Sequence, residues 1–367
     1  MNIIIFSSPL HDGNSVISCR EELFEELSPE TIVPYNVDNL PKADAVCFIA
    51  TGGTEEIFLQ TLPRLKAPIR LLCDGFHNSM AATFEIATYL ERNGIEHEII
   101  NYGEIQKKGK KIVPAGDDED EIKVHPIYKV ERVKNYLANS VIGIIGGKSS
   151  WLIASDVDKE FVQKAYGVKF VDIVINEIPA GKDMYESIKA IVEKYGLTAL
   201  TLKCFDLLKR CNDTACLALA KLNAEGIISG CEGDIPSLWT MMVSYALTGT
   251  APFMSNPSAT DRESLTVDFA HCTVPLSMVT DYSLTTHFES GIGVGVKGIL
   301  AEGPYTLMKI GGEKLDQIFM ESGVITCNTD VAQRCRTQIR FQFNDLYAYR
   351  HFMTNRLGNH VVIQKNF

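Results

Sequence analysis

The sequence predicts an α/β protein, with two successive β/α blocks followed by a β-rich, barrel-like C-terminal region. Three observations carry this. Up to about residue 262, short apolar runs alternate with helical patterns, the signature of parallel β/α units. A polar stretch with the acidic run Asp117 to Glu121 divides this part in two. Beyond about residue 262, short strand-like runs are separated by Gly-rich turns, as in antiparallel or barrel-like domains.

In the first block, Asn2 to Phe6 reads as a strand. The run is short, has no basic leader or small-residue cleavage site, and is interrupted by Ser7-Ser8-Pro9, so a signal peptide is not expected. Ala45 to Ala50 is a second strand, ending in Thr51-Gly52-Gly53-Thr54. Ile69 to Cys73 is a third, followed by the polar loop Asp74 to Ser79 and a helix from Met80 to Asn93. Ile95 to Ile100 is a fourth. In such sheets the loops at the carboxyl ends of strands form the ligand crevice. Those after the first three strands are candidate ligand or subunit surfaces, and two of them carry His11 and His77. Gln106 to Tyr128 reads as a solvated connection.

In the second block, Ser140 to Ile145, Phe170 to Ile175 and Ala199 to Phe205 read as strands, and Ile227-Ile228 leads into Gly230-Cys231-Glu232-Gly233-Asp234. Glu177, Asp206 and Glu232 then fall near strand ends on one side of a sheet. Further on, Leu265 to Phe269, Thr285 to Phe288, Gly291 to Leu300, Tyr305 to Ile310 and Gln338 to Phe343 read as strands. The expected class is α/β, with two Rossmann-like or flavodoxin-like β/α domains (1–135 and 136–262) and a β-rich, barrel-like domain (263–367).

The 367 residues carry 46% hydrophobic and 22% charged side chains, ordinary for a globular protein with sizeable cores. A net charge of −11 gives nucleic-acid binding little electrostatic support. No run approaches the ~18 apolar residues of a membrane span. The ten cysteines include no Cys-x-x-Cys pair, so a structural zinc site is not expected, and buried thiols in a reducing cytoplasm are.

Glu232, His271 in Ala270-His271-Cys272-Thr273 and His360 in Gly358-Asn359-His360 supply a hard oxygen and two imidazoles, a donor set suited to a divalent cation. Each also has an ordinary reading. Glu232 and Asp234 precede the helix-like run after Ile235-Pro236-Ser237, where acids are favoured, and a lone histidine is commonly a satisfied core residue. His287 and Glu289 would share one face of a strand, as a salt-linked pair. Gly143 to Ser149 has three residues between Gly143 and Gly147 where a phosphate loop needs four, and no dinucleotide fingerprint. Trp151 beyond it offers an apolar face to sugar C–H groups.

Together these motifs resemble the L-fucose isomerase and L-arabinose isomerase superfamily. The likeness is best over Ser229 to Asp234, Leu247-Thr248-Gly249, Pro252-Phe253-Met254 and Ala270 to Pro275. Gly358-Asn359-His360 looks like the family's late ligand histidine, and Gly52 to Glu55, Asn78-Ser79 and Gly146 to Trp151 fit more loosely. The resemblance implies carbohydrate metabolism in the cytoplasm, by aldose–ketose isomerisation of an open-chain sugar through an enediolate. It also implies Mn²⁺ or another divalent metal, and a trimer-based homo-oligomer with active sites near subunit interfaces. Carried across, Glu232 is a ligand and proton-transfer group, His271 and His360 are ligands, and Asn359 contacts the substrate. Where the family has a second acid, this chain has Ser255-Asn256. Asn256 offers a carbonyl oxygen to the metal but no general base, so Asp261 is a candidate substitute. A catalytically silent sugar-binding or regulatory relative is the alternative function.

Overall fold

A computed structural model describes residues 2–34, 45–102 and 126–365. The protein is mixed α/β, with two parallel sheets and a closed antiparallel barrel. The N-terminal sheet contains β1 (Asn2–Phe6), β2 (Thr31–Pro34), β3 (Ala45–Ile49), β4 (Ile69–Cys73) and β5 (His97–Asn101) in the order β2-β1-β3-β4-β5. Around it lie α1 (Gly13–Ser18), α2 (Glu21–Leu27), α3 (Glu55–Thr61) and α4 (Ser79–Arg92). Because successive strand residues point to opposite faces, Ile4, Phe6, Cys47 and Ile49 pack with Phe58, Ile86 and Leu90 on one side. Ile3, Ile5, Val46 and Phe48 pack with Val16 on the other. Coverage on both faces explains why these strands read as unbroken apolar runs.

The second sheet has β6 (Val141–Ile145), β7 (Lys169–Ile173), β8 (Ala199–Leu202) and β9 (Ile228–Gly230), ordered β7-β6-β8-β9. Its helices are α5 (Pro126–Ala138), α6 (Lys159–Tyr166), α7 (Met184–Tyr195), α8 (Phe205–Cys211), α9 (Cys216–Ala224) and α10 (Ile235–Thr248). Asp158, Asp183 and Asp234 cap α6, α7 and α10 through side-chain bonds to the first-turn amides.

The barrel is β10 (Phe253–Asp261), β11 (Thr266–His271), β14 (Gly303–Gly311), β15 (Gln317–Asn328), β16 (Thr337–Phe343) and β17 (Val361–Lys365), closed in the order β10-β11-β16-β15-β14-β17. A separate hairpin-like pair, β12 (Asp281–Thr285) and β13 (Gly295–Ile299), and α11 (Leu346–Thr354) complete it. Phe352 of α11 meets the rings of Phe269, Phe319 and Phe343 in the barrel and Phe84 of α4, with centroids 5.5 to 5.8 Å apart. Buried Arg334 donates to the Gly75 carbonyl (2.8 Å) and to Asp268 (2.7 Å), tying the barrel to the loop after β4.

Several elements differ from the sequence reading. β2, β10, β15, β17 and α11 were not expected. Phe253–Asp261 reads as polar, with Ser, Asn and Pro, yet most of it is buried between β11 and β17, and its ladder slips between Pro257 and Ala259. Such a bulge is how a proline is accommodated inside a sheet. Of Thr285 to Phe288, only Thr285 is strand; Gln106 to Tyr128 lies outside the described residues up to 125, and its last three residues open α5.

Gly323 of β15 lies opposite Phe343, where a Cβ would sit 2.3 Å from the Gln342 carbonyl oxygen and 2.5 Å from the Phe341 ring. Gly323→Ala should therefore lower stability by about 1–3 kcal/mol in urea denaturation through overpacking. An unchanged midpoint would mean that β15 and β16 separate freely at this point.

Candidate functional site

The carboxyl ends of both parallel sheets and one end of the barrel meet around a cleft of about 90 Å³. The N-terminal sheet contributes Ser8, Glu55 and Asn78 from the segments following β1, β3 and β4. The second sheet contributes Trp151, Phe205 and Glu232 from those following β6, β8 and β9. The barrel adds Asn256 of β10, His271 of β11 and Asn359 just before β17. The crevice at strand carboxyl ends is thus shared by two doubly wound sheets.

Glu232 lies between β9 and α10 with φ +64°, a left-handed conformation rare for a residue with a Cβ. The next residue must be glycine. Gly233 has φ +72°, and a Cβ there would fall 2.1 Å from the Gly147 carbonyl oxygen. The Ser149 amide donates to the Glu232 carbonyl at 2.9 Å. The Gly146 to Ser149 loop therefore buttresses the Glu232 turn by backbone contact. Trp151, farther along, donates its indole N–H to Glu232 Oε2 at 2.6 Å, so it touches the candidate ligand as well as lining the cleft.

His360 is fully buried. Its Nδ1 meets Asp234 Oδ2 at 2.8 Å, leaving Nε2 facing Glu232 Oε1 at 3.6 Å. Asp234 also accepts from the Ser237 amide (2.8 Å) and hydroxyl (2.6 Å), with buried Lys309 Nζ at 3.7 Å. The capping reading of Asp234 and a site role coexist: one carboxylate ends a helix and orients a histidine. His271 Nδ1 pairs with Thr273 Oγ1 at 2.7 Å. Glu232, His271 and His360 place one ligand atom each within 4.8 Å of one another, a group that could hold a metal ion.

The charges of this group shift one another, and several of its polar atoms lack a hydrogen-bond partner. Burial alone would raise the Glu232 carboxyl, but His360 and Trp151 hold it below its usual range. Burial opposes charge on His360, but Glu232 and Asp234 push it up to about 9. Burial and the neighbouring His360 bring His271 down to about 3. Among the described residues, Asn256 Oδ1, Asn359 Oδ1 and His360 Nε2 are buried without a hydrogen-bond partner, the last with only its longer contact to Glu232. Unsatisfied buried polar atoms are costly. Two carbonyl oxygens and an imidazole nitrogen beside a carboxylate are donors that a divalent ion and a polyol would satisfy.

The expected residues divide cleanly. Glu232, His271 and His360 converge, with Asn256, Asn359 and Trp151 lining the same cleft. Glu177 bonds Lys194 and Tyr195, each at 2.7 Å, and Asp206 pairs with Lys203 at 3.4 Å; neither lines the cleft. Asp261 does not substitute for Asn256. It lies at the far end of β10, where it accepts from the Glu263 amide (2.9 Å) and Ser264 hydroxyl (2.8 Å) of the turn. His287 and Glu289 are not paired with each other. His287 meets Ser290 at 2.9 Å, while Glu289 joins His11 at 2.6 Å and Asn78 at 2.5 Å. Glu55 and Glu289 are cleft carboxyls to which the sequence assigned no site role; only the position of Glu55 after a strand-end Gly-Gly pointed to it.

No family model matches the chain. A stretch of 90 residues is 30% identical to sulfoquinovose isomerase of Clostridium sp. (strain MSTE9). That relative is a sugar isomerase. The match spans 24% of this chain and 20% of the relative's length, so it covers only a small part of either protein. Among the described residues no helix is long and apolar enough to cross a membrane.

Asp234→Ala would strip the cap from α10, release His360 and leave Lys309 buried without that carboxylate. The expected loss is about 3–5 kcal/mol of unfolding free energy, the cost of breaking a buried ion pair. A loss below about 1 kcal/mol in urea titrations would refute this account of the network.

Proposed function

We propose that this protein is a divalent-metal-dependent aldose–ketose isomerase of the L-fucose/L-arabinose isomerase kind, acting on an open-chain sugar. The buried Glu232, His271 and His360 group, bordered by the unpartnered carbonyls of Asn256 and Asn359, carries this reading. The likeness of part of the chain to a sugar isomerase supports it. Glu232, His271, His360 and the Asn256 carbonyl would hold the metal, Mn²⁺ in the first instance. Asn359 would bind a sugar hydroxyl, and Trp151 would present its ring face to the sugar while fixing Glu232. A bound divalent ion supplies Lewis acidity toward neighbouring sugar oxygens, which eases loss of the C2 proton. Glu232 would take that proton. A cytoplasmic, trimer-based homo-oligomer with interfacial sites belongs to the same proposal.

The charge of the cleft bears on the substrate. Its lining includes Glu55, Glu232 and Glu289 but no Lys or Arg among the described residues. A sulfonate would find no lysine or arginine in this lining, and the proposed metal is engaged by the sugar's reacting oxygens, so an uncharged aldose suits this cleft better than the sulfonated sugar in the relative's name.

Asn256 supports a second reading, a silent sugar-binding or regulatory relative, because an amide stands where the resemblance has an acid. The two readings separate by NMR in D₂O, with Mn²⁺, a chelator control, and a panel of neutral pentoses and 6-deoxyhexoses beside sulfoquinovose. Metal-dependent deuterium at C1 or C2, with ketose appearing from a neutral aldose, is the expected result. Sugar-dependent stabilisation without exchange would support the silent relative, and Asn256→Asp should then raise activity if that acid is the only defect. Turnover of sulfoquinovose alone would overturn the charge argument.

Two variants test the residue roles. Glu232→Gln should abolish turnover with the fold retained by circular dichroism; unchanged turnover would rule the role out. His360→Ala should weaken Mn²⁺ binding by at least about tenfold, read by electron paramagnetic resonance, since loss of an inner ligand costs at least as much as loss of its hydrogen-bonding support.

A further inference from the structure

The cleft holds a carboxyl that the metal group does not use. Glu55 opens α3, immediately after the Thr51 to Thr54 loop that follows β3. The strand order of the N-terminal sheet reverses between β1 and β3, the position at which doubly wound sheets bind ligands. The Ser8 amide closes that point by donating to Thr51 Oγ1 at 2.8 Å. Glu55 is 1% exposed, yet it lines the cleft together with Glu232, Asn256, His271 and Asn359. The backbone amides of Thr54 and Glu55 serve its carboxyl, but Oε2 is buried without a partner among the described residues. An acid in the first turn of a helix ordinarily offsets the helix dipole. That role requires neither complete burial nor an unmet oxygen at a cleft.

Resting on the isomerase reading above, we propose that Glu55 is the second proton-transfer group of this site, working with Glu232. Aldose–ketose conversion moves two protons, one between carbons and one between oxygens, and Asn256 can carry neither. Glu232 takes the proton from C2 as the C–H pair forms the C1=C2 bond. The C1=O π pair moves to O1, which takes the proton of Glu55, giving a neutral enediol. In the second half, the O2 proton passes to Glu55 as C2=O forms, and the C1=C2 pair takes the proton from Glu232 at C1. Both carboxyls return to their starting state. The surroundings support this division. Burial holds the Glu55 carboxyl well above the usual range, the state of an acid able to give a proton.

The test is Glu55→Gln in the Mn²⁺-loaded protein, with turnover, Mn²⁺ affinity, sugar KM and infrared difference spectra read in parallel. Gln matches a neutral carboxyl in size and polarity, so the melting temperature should be retained. Expected are a fall in kcat of about 100-fold or more, with Mn²⁺ affinity and KM within about threefold. Also expected is a protonated-carboxyl stretch in wild type that vanishes in Glu55→Gln and shifts when sugar binds. Glu55→Asp should recover part of kcat. Turnover of Glu55→Gln within about threefold of wild type overturns the proposal and leaves the isomerase reading intact. If the wild type converts no sugar, the isomerase reading fails, and Glu55 is decided by the infrared band. A band shifted by sugar keeps Glu55 as an acid facing the ligand; an absent or unmoved band overturns that as well.

Discussion

The carboxylate of Asp234 is where the parts of this molecule meet. It is wholly buried and caps α10 of the second sheet. It orients His360 just before β17, and lies beside Lys309 of β14. A buried charge is tolerated only when paired and hydrogen-bonded, since the desolvation cost is several kcal/mol per ion. Here each partner comes from a different element, so satisfying one carboxylate fixes the position of the barrel against the second sheet. Lys309 in turn bonds Ser237, and Glu85 of α4, close by, accepts from the Ala154 amide at 2.6 Å. The ion network therefore reaches all three parts of the chain.

The adjoining residue Glu232 inherits its position from that arrangement. Its left-handed backbone is a local cost, of the order of 1–3 kcal/mol for a residue with a Cβ. The cost is tolerated because Gly233 seats against Gly147, Ser149 holds the Glu232 carbonyl and Trp151 holds its carboxylate. Strain of this kind, held by contacts on every side, is characteristic of positions where a side chain must be presented to a ligand. His360 and His271 each have one nitrogen engaged by Asp234 or Thr273, which leaves the other for the cleft.

The cleft is lined at several points by polar groups whose needs are unmet within the protein. Among the described residues, Asn256, Asn359, His360 and Glu55 are each buried with an atom that lacks a hydrogen-bond partner, whereas Glu289 nearby bonds His11 and Asn78. This contrast separates a wall that is internally complete from a floor built to receive something else. It also explains why the cleft lies where the two sheets and the barrel meet: strand-end loops and exposed barrel ends supply polar atoms without disrupting any apolar core.

Local sequence determined the parallel strands, because Ile3 to Phe6 or Val46 to Ile49 must be buried on both faces. It also marked Glu232, His271 and His360, because a hard oxygen and two imidazoles in unusual settings point to a cation. It did not disclose β10 or β17. Phe253–Asp261 has neither alternation nor an apolar run and becomes a strand only because β11 and β17 bury it. The sequence could not choose between helix cap and site partner for Asp234, since that choice depends on His360, far away in the chain. Nor could it weigh Glu55 against Asp261 as the spare acid. Their chemistry is alike, and only the tertiary structure puts one in the cleft and the other in a turn at the far end of β10. Residue types and short-range patterning are local properties; which side chains share a desolvated space is set by packing between distant segments.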